Sequence, residues 1–233
     1  MVSNCMVSHT RLTSCVFLQF ISKGPNKKKL INSLEIFYCQ FKDCRVVADI
    51  VLVIDSSAGV GISKFNDILI FSAELIGKFK ARQSDARFGA VVFSRTTEKL
   101  FDVQENMTDI SLGQVLLNAP FLNEGRRTAD ALHYVLSTGM FNSTIESGRA
   151  AKQFAIVFAG GPADQTELST LAAAKELKDR NVTIIAVSAA DRIDPELPKL
   201  ASCPTDVFSV HGEDSLTHLE RHLIQRTCEG KSS

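Results

Sequence analysis

Short apolar runs alternate with longer amphipathic stretches along most of the chain, and that alternation sets the fold. Ile50–Ile54 is a run of five apolar residues closed by Asp55-Ser56-Ser57. A run that short, ended by turn formers, predicts a strand buried on both faces, as in a parallel sheet covered by helices. From Lys64 the period changes. Phe65, Ile68, Leu69, Leu75, Ile76 and Phe79 fall on one helical stripe that only Ser72 interrupts. Arg87–Phe93 and Thr97–Val103 predict two strands joined by the Ser94–Thr96 turn, a hairpin. Thr108 predicts the cap of a short helix running through Asn118, and Thr128–Ser137 predicts a helix with Ala131, Leu132, Val135 and Leu136 on one face.

The same rhythm continues to the end. Phe154–Ala159 predicts a buried strand stopped by Gly160-Gly161-Pro162. Thr166–Asp179 is rich in strong helix formers, and Val182–Val187 predicts a third core strand. A short helix after Pro195, a last strand at Val207–Val210, and a helix capped by Ser215 and bearing Leu216, Leu219 and Leu223 complete the pattern. Strands alternating with helices, with one hairpin, predict an α/β domain. Its sheet is doubly wound and mostly parallel, with one antiparallel edge strand and helices on both faces, Rossmann-like in layout. In such sheets ligands collect at the carboxyl ends of the strands, so Asp55–Gly59 is where function is expected.

Residues 1–43 do not share this rhythm. Cys15–Ile21 is apolar and follows Arg11, which reads as a weak leader, but Gln19 interrupts it and SKGPNKKK supplies no small-residue cleavage site. The expectation is a poorly ordered segment, from an incomplete or transcript-specific start, ahead of one domain over 44–228 and a tail at 229–233. Lys plus Arg equals Asp plus Glu at 26 each, so no basic excess points to nucleic acid as a partner. No apolar run is long enough to span a bilayer.

Six cysteines show no Cys-x-x-Cys spacing, which argues against a zinc ribbon. Cys44 and Cys228 flank the domain, which suggests a disulfide that ties its ends together, contributing about 5 kcal/mol at most. Two unrelated thiols is the alternative. A bridge implies an oxidising compartment. Three Asn-x-Thr or Asn-x-Ser/Thr sequons, at Asn106, Asn142 and Asn181, fall at expected connections and fit a secreted glycoprotein.

The segments ADIVLVIDSS, RFGAVVF, TADAL, FAIVFAGG, VTIIAV and VFSV, in this order and spacing, resemble a von Willebrand factor type A domain over about residues 46–228. With flanking Cys44 and Cys228 and the phrase LASCPTDVFSV, the chain is most similar to the A domains of type VI collagen-like chains and related matrix proteins. The resemblance implies a metal-ion-dependent adhesion site, built from Asp-x-Ser-x-Ser, a Thr in a second loop and an Asp ending the fourth strand. Magnesium there takes about six oxygens and leaves one position for an acidic residue of a partner.

On that pattern Asp55 and Ser57 remain, but Gly59 has no hydroxyl, Arg126 stands at the metal-binding Thr, and Ala159 replaces the carboxylate. Thr128 is the second, non-ligand Thr. An inward Arg126 would oppose a divalent ion by about 6–7 kcal/mol at roughly 5 Å and an effective dielectric of about 20. No metal and no other cofactor is therefore expected, with Arg126 or Arg127 neutralising a buried Asp55. The expected rim is Asp55, Ser57, Asn123, Arg126, Arg127 and Thr128.

Other chemistries are weaker. Gly59-Val-Gly61 lacks the third glycine and the spacing of a dinucleotide or P-loop turn. His218 and His222 have the spacing of a zinc pair, but no third ligand is apparent, and a solvated helix face is the expectation. Asp102, Glu105 and Asp109 are also expected to be a solvated face. Ser56 and Ser57 lack the Gly-x-Ser-x-Gly frame of a displayed nucleophile. The function these observations imply is a non-catalytic, secreted extracellular-matrix interaction domain. Its expected partners are matrix proteins: collagens or neighbouring von Willebrand A domains. The rivals are a metal-dependent adhesion domain that binds acidic ligands through magnesium, and an α/β enzyme acting on a nucleotide or ester. No Gly-x-y run occurs, so the collagen kinship concerns the A domain and not a triple helix.

Overall fold

The structure is a computed structural model and describes residues 46–81, 84–103, 107–141, 148–160, 164–190, 194–212 and 214–228. These residues form a six-stranded sheet in the order β3-β2-β1-β4-β5-β6. The strands are β1 (Val47–Asp55), β2 (Asp85–Phe93), β3 (Thr97–Phe101), β4 (Lys152–Ala159), β5 (Val182–Ser188) and β6 (Val207–Ser209). Every neighbouring pair is parallel except β2 and β3, the predicted hairpin at the edge. Helices α1 (Ile62–Ala81), α2 (Asp109–Leu117), α3 (Thr128–Ser137), α4 (Glu167–Asp179), α5 (Leu197–Leu200) and α6 (Ser215–Cys228) cover it.

Why β1 lies at the centre follows from its side chains. A strand sends alternate residues to opposite faces, and both faces of β1 are apolar. Ile50, Leu52 and Ile54 pack into one core with α1, α2 and α6; Val51 and Val53 pack into the other, with α3, α4 and α5. All five are fully buried. Each such side chain stabilises the fold by roughly 1.5–3 kcal/mol relative to exposure. The α1 stripe is buried as the spacing predicts, including Ser72, whose hydroxyl has no hydrogen-bond partner. Thr108 caps α2, accepting from the Ser111 amide at 3.2 Å.

Several details differ from the sequence reading. Ser215 is the first residue of α6, not a side-chain acceptor; its hydroxyl donates to the Val210 and Gly212 carbonyls. His222 is not on a solvated face. Its Nε2 lies 2.6 Å from Oδ1 of the fully buried Asp206, its ring rests on Phe208, and Arg226 donates to the same carboxylate at 3.3 Å. His218 is exposed as expected. Asp102 is also largely covered, with its side chain 15% exposed and Lys99 at 3.4 Å; Glu105 lies outside the described residues.

Cys203 and Cys228 are both disulfide-bonded, a role the sequence reading did not give Cys203. Cys44, the expected partner of Cys228, lies outside the described residues, as do residues 1–43, the tail at 229–233, and the sequons at Asn106 and Asn142. Asn181 is described. It is exposed in the turn between α4 and β5, with φ of 63°.

Candidate functional site

Because β1, β2, β4 and β5 are parallel, their carboxyl ends open on one rim. Asp55 ends β1, Ser94 follows β2, Gly160 follows β4 and Ala189 follows β5. Asp55 is fully buried. Its Oδ1 accepts from the Ser57 amide at 2.9 Å and its Oδ2 from the Gly160 amide at 3.2 Å. Burial pushes its pKa above the ordinary value of 3.8, against hydrogen bonding from Ser57, the charge of Arg126 and the Gly160 amide. Gly160 is needed for this closure, since a Cβ there would meet Val60 Cγ2 at 2.8 Å.

Ser56 stitches two loops together. Its hydroxyl donates to the Pro120 carbonyl at 2.9 Å and accepts from the Leu122 amide at 2.8 Å. Its carbonyl accepts from Asn123, and the Ala58 amide donates to the Glu124 carbonyl. The Ser56 hydroxyl is therefore spent on structure, a use unlike that of a displayed nucleophile.

The second loop delivers Arg126. Its carbonyl accepts from the Asp164 amide at 2.9 Å, and the neighbouring Arg127 amide donates to the Ser94 carbonyl at 3.0 Å. These bonds aim the Arg126 side chain inward, where it is 1% exposed, the largest fully buried side chain among the described residues. Nη1 donates to Asp194 Oδ2 at 2.9 Å, and Nη2 donates to Glu196 Oε2. Both acids lie in the connection that follows β5.

This revises the expected neutralisation of Asp55. The Arg126 charge does favour the ionised form of Asp55, but its two terminal nitrogens bind Asp194 and Glu196. Arg127 does not serve Asp55. It pairs with Asp130 at 2.8 Å on the half-exposed surface. Asp194 and Glu196 were missed in the sequence because they stand 68 and 70 residues from Arg126. The one available signal was a pair of acids, spaced by two, just beyond a predicted core strand.

The remaining expected rim residues are placed as follows. Ser57 and Thr128 are both 1% exposed, and neither hydroxyl oxygen has a hydrogen-bond partner of good geometry. Asn123 is exposed, with φ of 55°. The start of α3 takes its cap from elsewhere: Gln165 Oε1 accepts from the Ala129 amide at 2.9 Å.

The residues present do not fit a divalent ion. Gly59 and Ala159 offer no side-chain donor, both Asp55 oxygens are bonded by backbone amides, and a buried guanidinium stands among the carboxylates. Among the described residues no group of three or more His, Cys, Asp or Glu is arranged to hold a metal.

Comparison with known proteins agrees with this architecture. The von Willebrand factor type A domain matches residues 49–222. The human collagen alpha-5(VI) chain is 29% identical over 213 residues, covering 89% of this chain and 8% of that one. The von Willebrand factor A domain-containing protein 2 of Xenopus laevis is 25% identical, covering 92% of this chain and 26% of that protein. Bovine vitrin is 27% identical, covering 80% and 28%. The chain thus spans less than a third of the length of each of these relatives.

Among solved structures, proximal thread matrix protein 1 from the mussel byssus superposes with a TM-score of 0.64 at 22% identity, over 79% of this chain and 48% of that one. A second structure of that mussel protein, with zinc in its metal-ion-dependent adhesion site, is 21% identical at the same TM-score, over 79% and 49%. By its matched residues, its sheet order and its helices on both faces, the chain belongs to the von Willebrand factor type A domain family.

Proposed function

We propose that this is a non-catalytic interaction domain of an extracellular-matrix protein, which recognises its partner without a bridging metal ion. The observation that carries the reading is Arg126. It is a permanent cation, buried at the position of the family's metal-binding Thr and clasped by Asp194 and Glu196. A divalent ion placed beside it would meet like-charge repulsion, with three of the usual oxygen donors missing. Matrix proteins are the proposed partners, collagens or neighbouring von Willebrand A domains among them, in keeping with the collagen VI and vitrin relatives.

Secretion into the matrix accompanies this reading, together with glycosylation at Asn181. That residue is exposed at the amino end of β5, opposite the rim, so a glycan there leaves the rim free. The Cys44–Cys228 bridge belongs to the same proposal. Among the described residues no helix is long and apolar enough to cross a membrane.

Isothermal titration with magnesium and manganese tests the metal-free reading. The wild-type chain should give no specific heat, whereas the triple variant G59S/R126T/A159D, which restores three oxygen donors, should bind with one-to-one stoichiometry. Stoichiometric heat from the wild type would overturn the proposal.

A further inference from the structure

We propose that Asp194 and Glu196 are an internal ligand of Arg126, which an acidic side chain of a partner displaces. This rests on the rim being the contact surface and names the chemistry of what it contacts. The two acids form a pincer. They come from one short stretch, each takes a different terminal nitrogen of the guanidinium, and the Glu196 amide donates to Asp194 Oδ1 at 2.9 Å to fix their spacing.

The pincer is attached to the rim through those side chains. Among the described residues, the backbone bonds made by the Asp194 and Glu196 carbonyls are local, to the amides of Leu197, Lys199 and Leu200. Behind it, Leu197 and Leu200 are 1% exposed in the core, so the turn can lift while α5 stays anchored.

Arg126 is 1% exposed, while the Asp194 and Glu196 side chains are 20% and 10% exposed. Of the three side chains, the two acids are thus the ones that reach solvent. Their seat is incomplete, because Glu196 Oε1 is buried without a hydrogen-bond partner. Asp55 adds a third carboxylate to the surroundings of one cation. Exchange is therefore favourable in kind. A partner carboxylate on Arg126 preserves the charge pairing in planar fork geometry, and the displaced acids regain water.

The test measures binding of a hexaglutamate peptide, with hexaglutamine as the neutral control, by fluorescence polarisation on the full chain. D194N/E196Q should bind hexaglutamate at least tenfold more tightly than wild type. D67N/E74Q makes the same charge change on exposed acids of α1, outside the Arg126 cluster, and should gain far less. Equal gains in both variants, or no gain in D194N/E196Q, would overturn the proposal. Should D194N/E196Q fail to fold, hydrogen exchange of the wild type decides. Saturating hexaglutamate should raise exchange at the Glu196 amide, which donates to the Asp194 carboxylate in the closed pincer, and unchanged exchange there sinks the idea. Neither measurement involves a metal, so failure here leaves the magnesium titration to stand or fall separately.

Discussion

Replacing Arg126 by Met is the most direct perturbation of the rim. Met keeps much of the aliphatic volume and removes the charge, so packing loss is limited. What remains is two carboxylates, 20% and 10% exposed, facing a site with no cation, and the buried Asp55 deprived of the charge that favours its ionised form. Removing one partner of a buried pair costs about 3–5 kcal/mol. Asp194 and Glu196 can turn toward water, which places R126M near the lower end, about 3 kcal/mol. For a domain of this size that lowers the melting temperature by about 6–12 °C. Circular dichroism melts of wild type, R126M and R126M/D194N/E196Q measure it. The triple variant removes the stranded charges and should recover at least half of the loss, since replacing all members of a buried ionic cluster is far milder than removing one. A single variant melting within about 2 °C of wild type, or a triple variant as unstable as the single one, would refute the reasoning.

Two further outcomes follow from buried charge. The raised pKa of Asp55 means that the folded state favours its protonated form. Its contribution to stability is therefore fully present below the ordinary value of 3.8 and declines as pH rises through the raised value. D55N carries no such titration, so its melting temperature minus that of wild type should become more positive from pH 4 to pH 7; a flat or falling difference contradicts the assignment. At the sheet edge, D206A strips the fully buried acceptor from His222 and Arg226 and should cost about 2–3 kcal/mol in urea unfolding. An effect under about 0.5 kcal/mol would show that the cluster contributes nothing beyond packing.

Which parts of the molecule could be read without coordinates is clear from single elements. β1 was legible because five consecutive apolar residues ended by Asp-Ser-Ser leave few alternatives, and α1 because its stripe kept one period over most of its length. At the rim, the residue types alone show that Gly59 and Ala159 carry no donor side chain in any conformation. His222 was misread because helical spacing tells which face a residue shares, not what lies opposite it. Asp206, 16 residues earlier, arrives there only through the short strand β6.

The order and spacing of apolar and polar residues thus determined the layers of this protein, the parallel direction of its main strands and the place of Asp55 at a carboxyl edge. Burial of apolar side chains is set by local periodicity, and periodicity is written in the chain. Only the tertiary structure decided the charge balance. Whether Arg126 points inward, and which acids meet it, depends on where three loops end once the sheet has formed. Coulombic pairing acts over a few ångströms in space, with no regard for the 68 residues of chain that separate Arg126 from Asp194.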